Sequence, residues 1–256
     1  MAHPKIANIT PIPMLDEVLT EKDNFHLVLT NLILSDQKYL DFYRNRIAQG
    51  DYVILDVPAF ETSQPTSTTS VDAAAAMLMP SEVVLPDDIT SAKNTIALAH
   101  QCKTLLERAS YPGKTMGVPH GTDYREYIDC AVELVEDVGV NVLGIVEEIP
   151  ELYGYDRLPM VQKLAARLPE TEFHLLGIDD ELKNFHVPDH IPVRSIDTAK
   201  FVVYGLNKID VWPNHKHTPA YPGRKTVGGR AGYFFHNDLD PEVLECIKGN
   251  IERFRI

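Results

Sequence analysis

EVVLPDDITSAKNTIALAHQCKTLLERASYPGKTMGVPHG, residues 82–121, decides the fold class. Its opening, EVVLPD (82–87), is a short apolar run closed by acids and reads as a buried strand. SAKNTIALAHQCKTLLERA (91–109) is long and amphipathic, with Ser91 placed to cap its first turn. TMGVPHG (115–121) returns to strand character. Strand, helix and strand on short connections mean two parallel strands and a crossover helix, because a hairpin cannot join a parallel pair.

The same unit recurs on both sides. FHLVLTNLIL (25–34) reads as a strand and DQKYLDFYRNRIAQG (36–50) as a helix stopped at Gly50. YVILDV (52–57) is a second strand, and VDAAAAMLM (71–79) favours helix. After the quoted stretch come the helix DYREYIDCAVELVEDVG (123–139), the strand NVLGIVEE (141–148) and a helix around 157–168. EFHLLGI (172–178) and PVRSIDT (192–198) are strands six and seven, and the last strand is expected within 201–235, where FVVYGL (201–206) is strand-like. The helix DPEVLECIKGNIERF (240–254) closes the series. Seven or eight βα units in 256 residues predict a single-domain (β/α)8 TIM barrel. An open dinucleotide-binding sheet would carry GxGxxG after its first strand, and the sequence has none there.

Composition narrows the class. Three cysteines, Cys102, Cys130 and Cys246, stand far apart with no CxxC pair, which fits a reducing, cytoplasmic setting and argues against a cysteine-rich zinc site. The N-terminal stretch lacks the apolar core of a signal peptide, and no run approaches a membrane span. The formal net charge of −13 opposes general nucleic-acid affinity. Residues 200–231 depart from it, with six basic residues against Asp210 alone, a net +5. That leaves room for a local anion-binding surface, or simply a solvated basic loop.

A barrel builds its site at the C-terminal ends of its strands. The strands here close on Asp56, on Asp87 with Asp88, on His120, on Glu147 with Glu148, and on Asp197. One such acid is usually a cap or turn former, and Asp88 fits that role. Several at one end of one barrel converge on one mouth. Asp197 is flanked by Arg194 and Lys200, so it reads as a cap, an ion-pair partner or a nucleophile. ETSQPTSTTS (61–70) follows the second strand, where a lid or a plain connector would sit. Such a mouth suits divalent-metal binding or double displacement at an anomeric carbon, and composition does not choose.

YVILDVPAFE (52–61), VVLPDDIT (83–90), MGVPHG (116–121), VLGIVEE (142–148), HLLGI (174–178) and VRSIDTA (193–199) occur in that order. The ordered set resembles the tRNA-guanine transglycosylase superfamily of queuine and archaeosine enzymes, including its phage and bacterial DNA-modifying relatives that handle 7-deazaguanines. The resemblance spans about residues 25–254. It implies that Asp197 is the nucleophile attacking the ribose C1′. Asp56 matches the aspartate of a DSGG-type motif, in contact with the base and active in proton transfer. Asp87 matches the aspartate that reads the base's Watson–Crick edge, and His120 stands where a glutamine is usual. Gly144, Ile145 and Val146 lie near the backbone that borders the base, with Glu147 beside them. An ionised Asp87 would accept from N1 and the 2-amino group, and His120 would donate to O6.

Departures qualify what is implied. DSGG is DVPA (56–59) here, and the cysteine-rich zinc motif is absent, with its subdomain. Both favour DNA or a smaller nucleoside over tRNA, with DNA taken as the partner and no cofactor or metal. Arg224, Lys225 and Arg230 would hold phosphates, and Tyr221 or Tyr233 would stack on a base. With so acidic a chain, a homodimer or partner protein is one way to complete the groove. Two other readings stay open: a metal-dependent barrel lyase or hydrolase with Asp87, His120 and Glu147 as ligands, and a non-catalytic deazapurine-binding protein.

Overall fold

The computed structural model describes residues 4–58, 65–178, 187–212, 220–223, 229–237 and 239–255. Eight strands run in one parallel sheet: β1 (Lys5–Asn8), β2 (Phe25–Leu29), β3 (Tyr52–Asp56), β4 (Glu82–Val84), β5 (Lys114–Gly117), β6 (Val142–Ile145), β7 (Glu172–Leu175) and β8 (Val193–Thr198). The ladder runs β1-β8-β7-β6-β5-β4-β3-β2. Its two ends, β1 and β2, lie against each other, and Lys5 Nζ stands 5.8 Å over the Phe25 ring across the seam. The sheet thus curls into a nearly closed (β/α)8 barrel, as the alternation predicts.

The principal helices are α1 (Gln37–Ala48), α2 (Thr68–Leu78), α3 (Ala92–Arg108), α4 (Tyr124–Glu136), α5 (Arg157–Arg167), α6 (Lys200–Leu206) and α7 (Pro241–Phe254). Their starts have local causes. Asp36, Ser91, Asp123 and Asp240 each accept a backbone N–H from the first turn of α1, α3, α4 and α7. Such caps satisfy donors that a helix leaves orphaned. Ser91 is the cap expected from the sequence.

Three expectations are corrected. The first strand is KIAN (5–8), so VRSIDT is the eighth strand and not the seventh. Four residues between prolines 4 and 11 carry too little pattern to announce a strand. FVVYGL is helical: α6 packs along α7, and every one of its residues is buried. A short helix buried all round has no polar face, so its sequence is indistinguishable from a core strand. The described part of 201–235 contains no strand. FHLVLTNLIL also divides, with strand to Leu29 and a helix over Thr30–Ser35.

Registry sets which side chains enter the barrel. Paired residues share a face, so Tyr52, Glu82, Lys114, Met116 and Val142 follow one another round the inner wall. Phe173 pairs with Val193 but His174 pairs with Ser195, which leaves Arg194 as an extra residue on β8. This bulge turns Arg194 inward beside Ser195. There it reaches Glu82 at 2.8 and 3.1 Å and Glu172 at 2.8 Å. Tyr52 donates to Glu82 at 2.6 Å, and Lys114 meets Glu172 at 2.5 Å. These residues stand at the first positions of β3, β4, β5 and β7, so the network plugs the N-terminal end of the barrel.

Candidate active site at the C-terminal mouth

Parallel strands deliver their C-terminal ends to one side, where Asp56, Asp87, His120, Glu147 and Asp197 lie at or just beyond the strand termini. Asp197 is buried. Its Oδ1 accepts the Gly177 N–H at 3.0 Å and lies 3.1 Å from His174 Nε2. The second oxygen, Oδ2, has no hydrogen-bond partner among the described residues. The flanking bases go elsewhere: Arg194 to the opposite end of the barrel, and Lys200 to Glu147 Oε1 at 2.9 Å. Asp197 is therefore not an ion-pair partner of either, and its immediate partners are a main-chain amide and an imidazole.

Gly177 is required where it stands. Its φ of +74° is a left-handed conformation that side chains disfavour, and a Cβ there would lie 2.7 Å from Glu147 Oε2. Arg157 braces the same turn. It is buried and donates to the carbonyls of Ile145 (3.0 Å), Leu176 (2.6 Å) and Gly177 (2.8 Å). One guanidinium thus ties the end of β6 to the turn that presents its amide to Asp197.

Asp87 and His120 form a second carboxylate–imidazole pair, both buried, with Nε2 2.6 Å from Oδ2. Asp87 Oδ1 is buried with no partner among the described residues. A buried acceptor left empty costs free energy unless a ligand or water satisfies it. This refines the expectation for the pair: Asp87 offers one open oxygen rather than two, and His120 Nε2 is committed to Asp87. Asp88 is a turn former, as expected, accepting from Thr90 at 2.9 and 2.7 Å and from Asn94 at 3.0 Å. Those hydrogen bonds, Thr90's first, hold its carboxyl below the usual range.

The other candidate residues fall as follows. Asp56 is half-buried, and its Oδ1 accepts the Val57 N–H at 2.8 Å. Glu147 is ion-paired with Lys200, whose Nζ also stands 5.0 Å over the half-buried Tyr221 ring. Gly144 faces the packed interior below the mouth, where a Cβ would come within 2.9 Å of Leu176 and Met116 and 3.2 Å of Val118. Ile145 is fully buried and contributes its carbonyl to Arg157, and Val146 is half-buried past the strand end. Tyr233 is a core residue donating to the Ile9 carbonyl at 2.6 Å, so it is not a stacking surface. Arg224, Lys225, residues 61–64 of the expected lid and the HKH stretch (215–217) lie outside the described residues. Arg230 is described only as part of the helix Gly229–Gly232.

Among the described residues no three His, Cys, Asp or Glu side chains gather as metal ligands. Asp87 and His120 bond to each other, while Glu147 is held by Lys200. No helix among the described residues is long and apolar enough to cross a membrane. Burial pushes the Cys102 thiol up to about 12 and the Cys130 thiol to about 11, so neither is a thiolate at neutral pH.

His174, Gly177 and Arg157 are the residues around this mouth that sequence reading missed. His174 carried a signal, an imidazole inside the apolar run EFHLLGI. Gly177 lay in the quoted HLLGI. Arg157 opens a helix of ordinary amphipathic pattern and carried none. No family model matches the chain, and the search of curated proteins returns no match.

Proposed function

We propose that the chain is a transglycosylase that exchanges guanine in DNA for a 7-deazaguanine through a covalent aspartyl-glycosyl intermediate. One observation carries this reading. A buried carboxylate sits at the barrel mouth with Oδ1 fixed by two nitrogen partners and Oδ2 uncommitted. A nucleophile needs that division of labour, with one oxygen orienting and the other attacking. In the proposed reaction Oδ2 bonds to the sugar C1′ as the bond from C1′ to the base breaks. The departing base keeps the electron pair and takes a proton from Asp56. The incoming 7-deazaguanine returns a proton to Asp56, and its N9 displaces Asp197 from the same face, so configuration is retained.

The empty Asp87 Oδ1 supports a base-binding role, since guanine-like bases present N–H donors on their Watson–Crick edge. Arg224, Lys225 and Arg230 are the proposed phosphate contacts, and their removal should weaken DNA binding and flatten its salt dependence. The test is release of labelled guanine from DNA in the presence of candidate 7-deazaguanines, with denaturing-gel trapping of the protein–DNA adduct. Wild type should release label and trap an adduct. Asp197→Asn should do neither while still binding the free base. Tight base binding with no adduct and no release from wild type would replace this reading with that of a deazapurine-binding protein.

A further inference from the structure

A chain of hydrogen-bonding groups runs the length of the barrel interior. It starts at Asp197 Oδ1, passes to His174 Nε2 at 3.1 Å, and from His174 Nδ1 to Ser195 Oγ at 2.7 Å. Arg194 Nε donates to Ser195 Oγ at 3.0 Å, and its guanidinium is held by Glu82 and Glu172 at the closed end. His174 and Ser195 are fully buried, away from bulk solvent.

The proton positions follow from donor and acceptor counting. Arg194 Nε can only donate, so Ser195 Oγ accepts from it. The hydroxyl proton of Ser195 then needs an acceptor, and among the described residues His174 Nδ1 is the one it meets. An Nδ1 that accepts carries no proton, which places the single imidazole proton on Nε2, facing Asp197. The opposite tautomer would set an unprotonated Nε2 against a carboxylate oxygen. A doubly protonated ring would leave the buried Ser195 hydroxyl proton without an acceptor. Each alternative strands a buried polar group, at a cost the observed arrangement avoids.

We infer that His174 is the positioning residue of Asp197: a neutral imidazole, locked as the Nε2–H tautomer by Ser195 and Arg194, that fixes Oδ1 and so turns Oδ2 to the mouth. The tautomer assignment stands on geometry alone, and the kinetic consequence rests on the transglycosylase reading. The closed end of the barrel thereby sets the aim of the carboxylate at the open end. The bulge at Arg194 makes this feasible, since it puts Arg194 and Ser195 on the same side of the wall.

Two measurements test the inference. In 15N-histidine-labelled protein at neutral pH, long-range 15N–1H correlation should show His174 with a protonated Nε2 and a pyridine-like Nδ1. A protonated Nδ1, or an imidazolium, overturns the assignment. In the exchange assay, His174→Leu should lower kcat about 100-fold with KM changed less than threefold. His174→Gln places an amide N–H near the lost Nε2–H and should recover at least tenfold of that. Equal kcat in wild type and His174→Leu, alongside an inactive Asp197→Asn, overturns the positioning role and leaves the proposed function standing. Undiminished activity in Asp197→Asn sinks the proposed function instead, while the imidazole spectrum still decides the tautomer. If His174→Leu does not fold, the Gln variant and the spectrum carry the test.

Discussion

Replacing Arg157 with Met would test whether the site is held from behind. The guanidinium donates to three carbonyls at the ends of β6 and β7. Ile145 O also receives the Leu176 N–H at 2.9 Å, so it keeps one partner after the change. Leu176 O and Gly177 O have no other donor among the described residues. Met fills much of the volume but donates nothing, so two half-buried carbonyls each lose a charge-assisted hydrogen bond worth about 1.5–3 kcal/mol. Relief from burying a charge offsets part of the third, charge-assisted bond. The expected loss is about 4 kcal/mol, a large share of the roughly 5–15 kcal/mol that stabilises a folded domain. At ~2–4 °C per kcal/mol for chains near this size, Tm should fall roughly 8–16 °C. Arg157→Lys keeps a charge but reaches fewer carbonyls, and should fall between the two. Differential scanning calorimetry at neutral pH reads the effect. A Tm for Arg157→Met within about 3 °C of wild type would refute the accounting, because it would mean the two carbonyls find other donors at no cost.

Two further outcomes are expected. Gly177→Ala should lose about 1–2 kcal/mol, because φ at +74° is costly for a residue with a Cβ. On the proposed transglycosylase reading it should also slow base exchange about tenfold or more, as the amide shifts from Asp197 Oδ1; unchanged Tm and rate would contradict the role given to this turn. His26 is buried beside Asp51 and Arg46, and burial is the largest influence holding its pKa below the usual 6.5. It stays neutral when folded while the unfolded chain takes up a proton, so its contribution is full above pH 6.5 and drains as pH falls toward the depressed value. The slope is at most about 1.4 kcal/mol per pH unit. Urea unfolding of wild type and His26→Gln between pH 7.5 and 5 should show the flatter profile in the variant, and parallel profiles would exclude His26 as the source.

Strand and helix alternation, the cap at Ser91 and the acids closing β3, β4, β6 and β8 were legible because each is a local pattern. Period, turn chemistry and strand end are properties of a few consecutive residues, and the barrel follows from repeating them. The tertiary structure alone decided where the charges around Asp197 point. By simple alternation Arg194 should face away from Ser195, and the bulge reverses it. It alone paired Lys200 with Glu147, His120 with Asp87, and His174 with both Ser195 and Asp197, partners 21 to 53 residues apart. Local composition also misplaced the eighth strand, because α6 is buried on every side and β1 is too short to show a period. Which acids line a mouth is set by strand ends and can be read along the chain. Which of them is held, neutralised or left open depends on neighbours that only the closed sheet brings together.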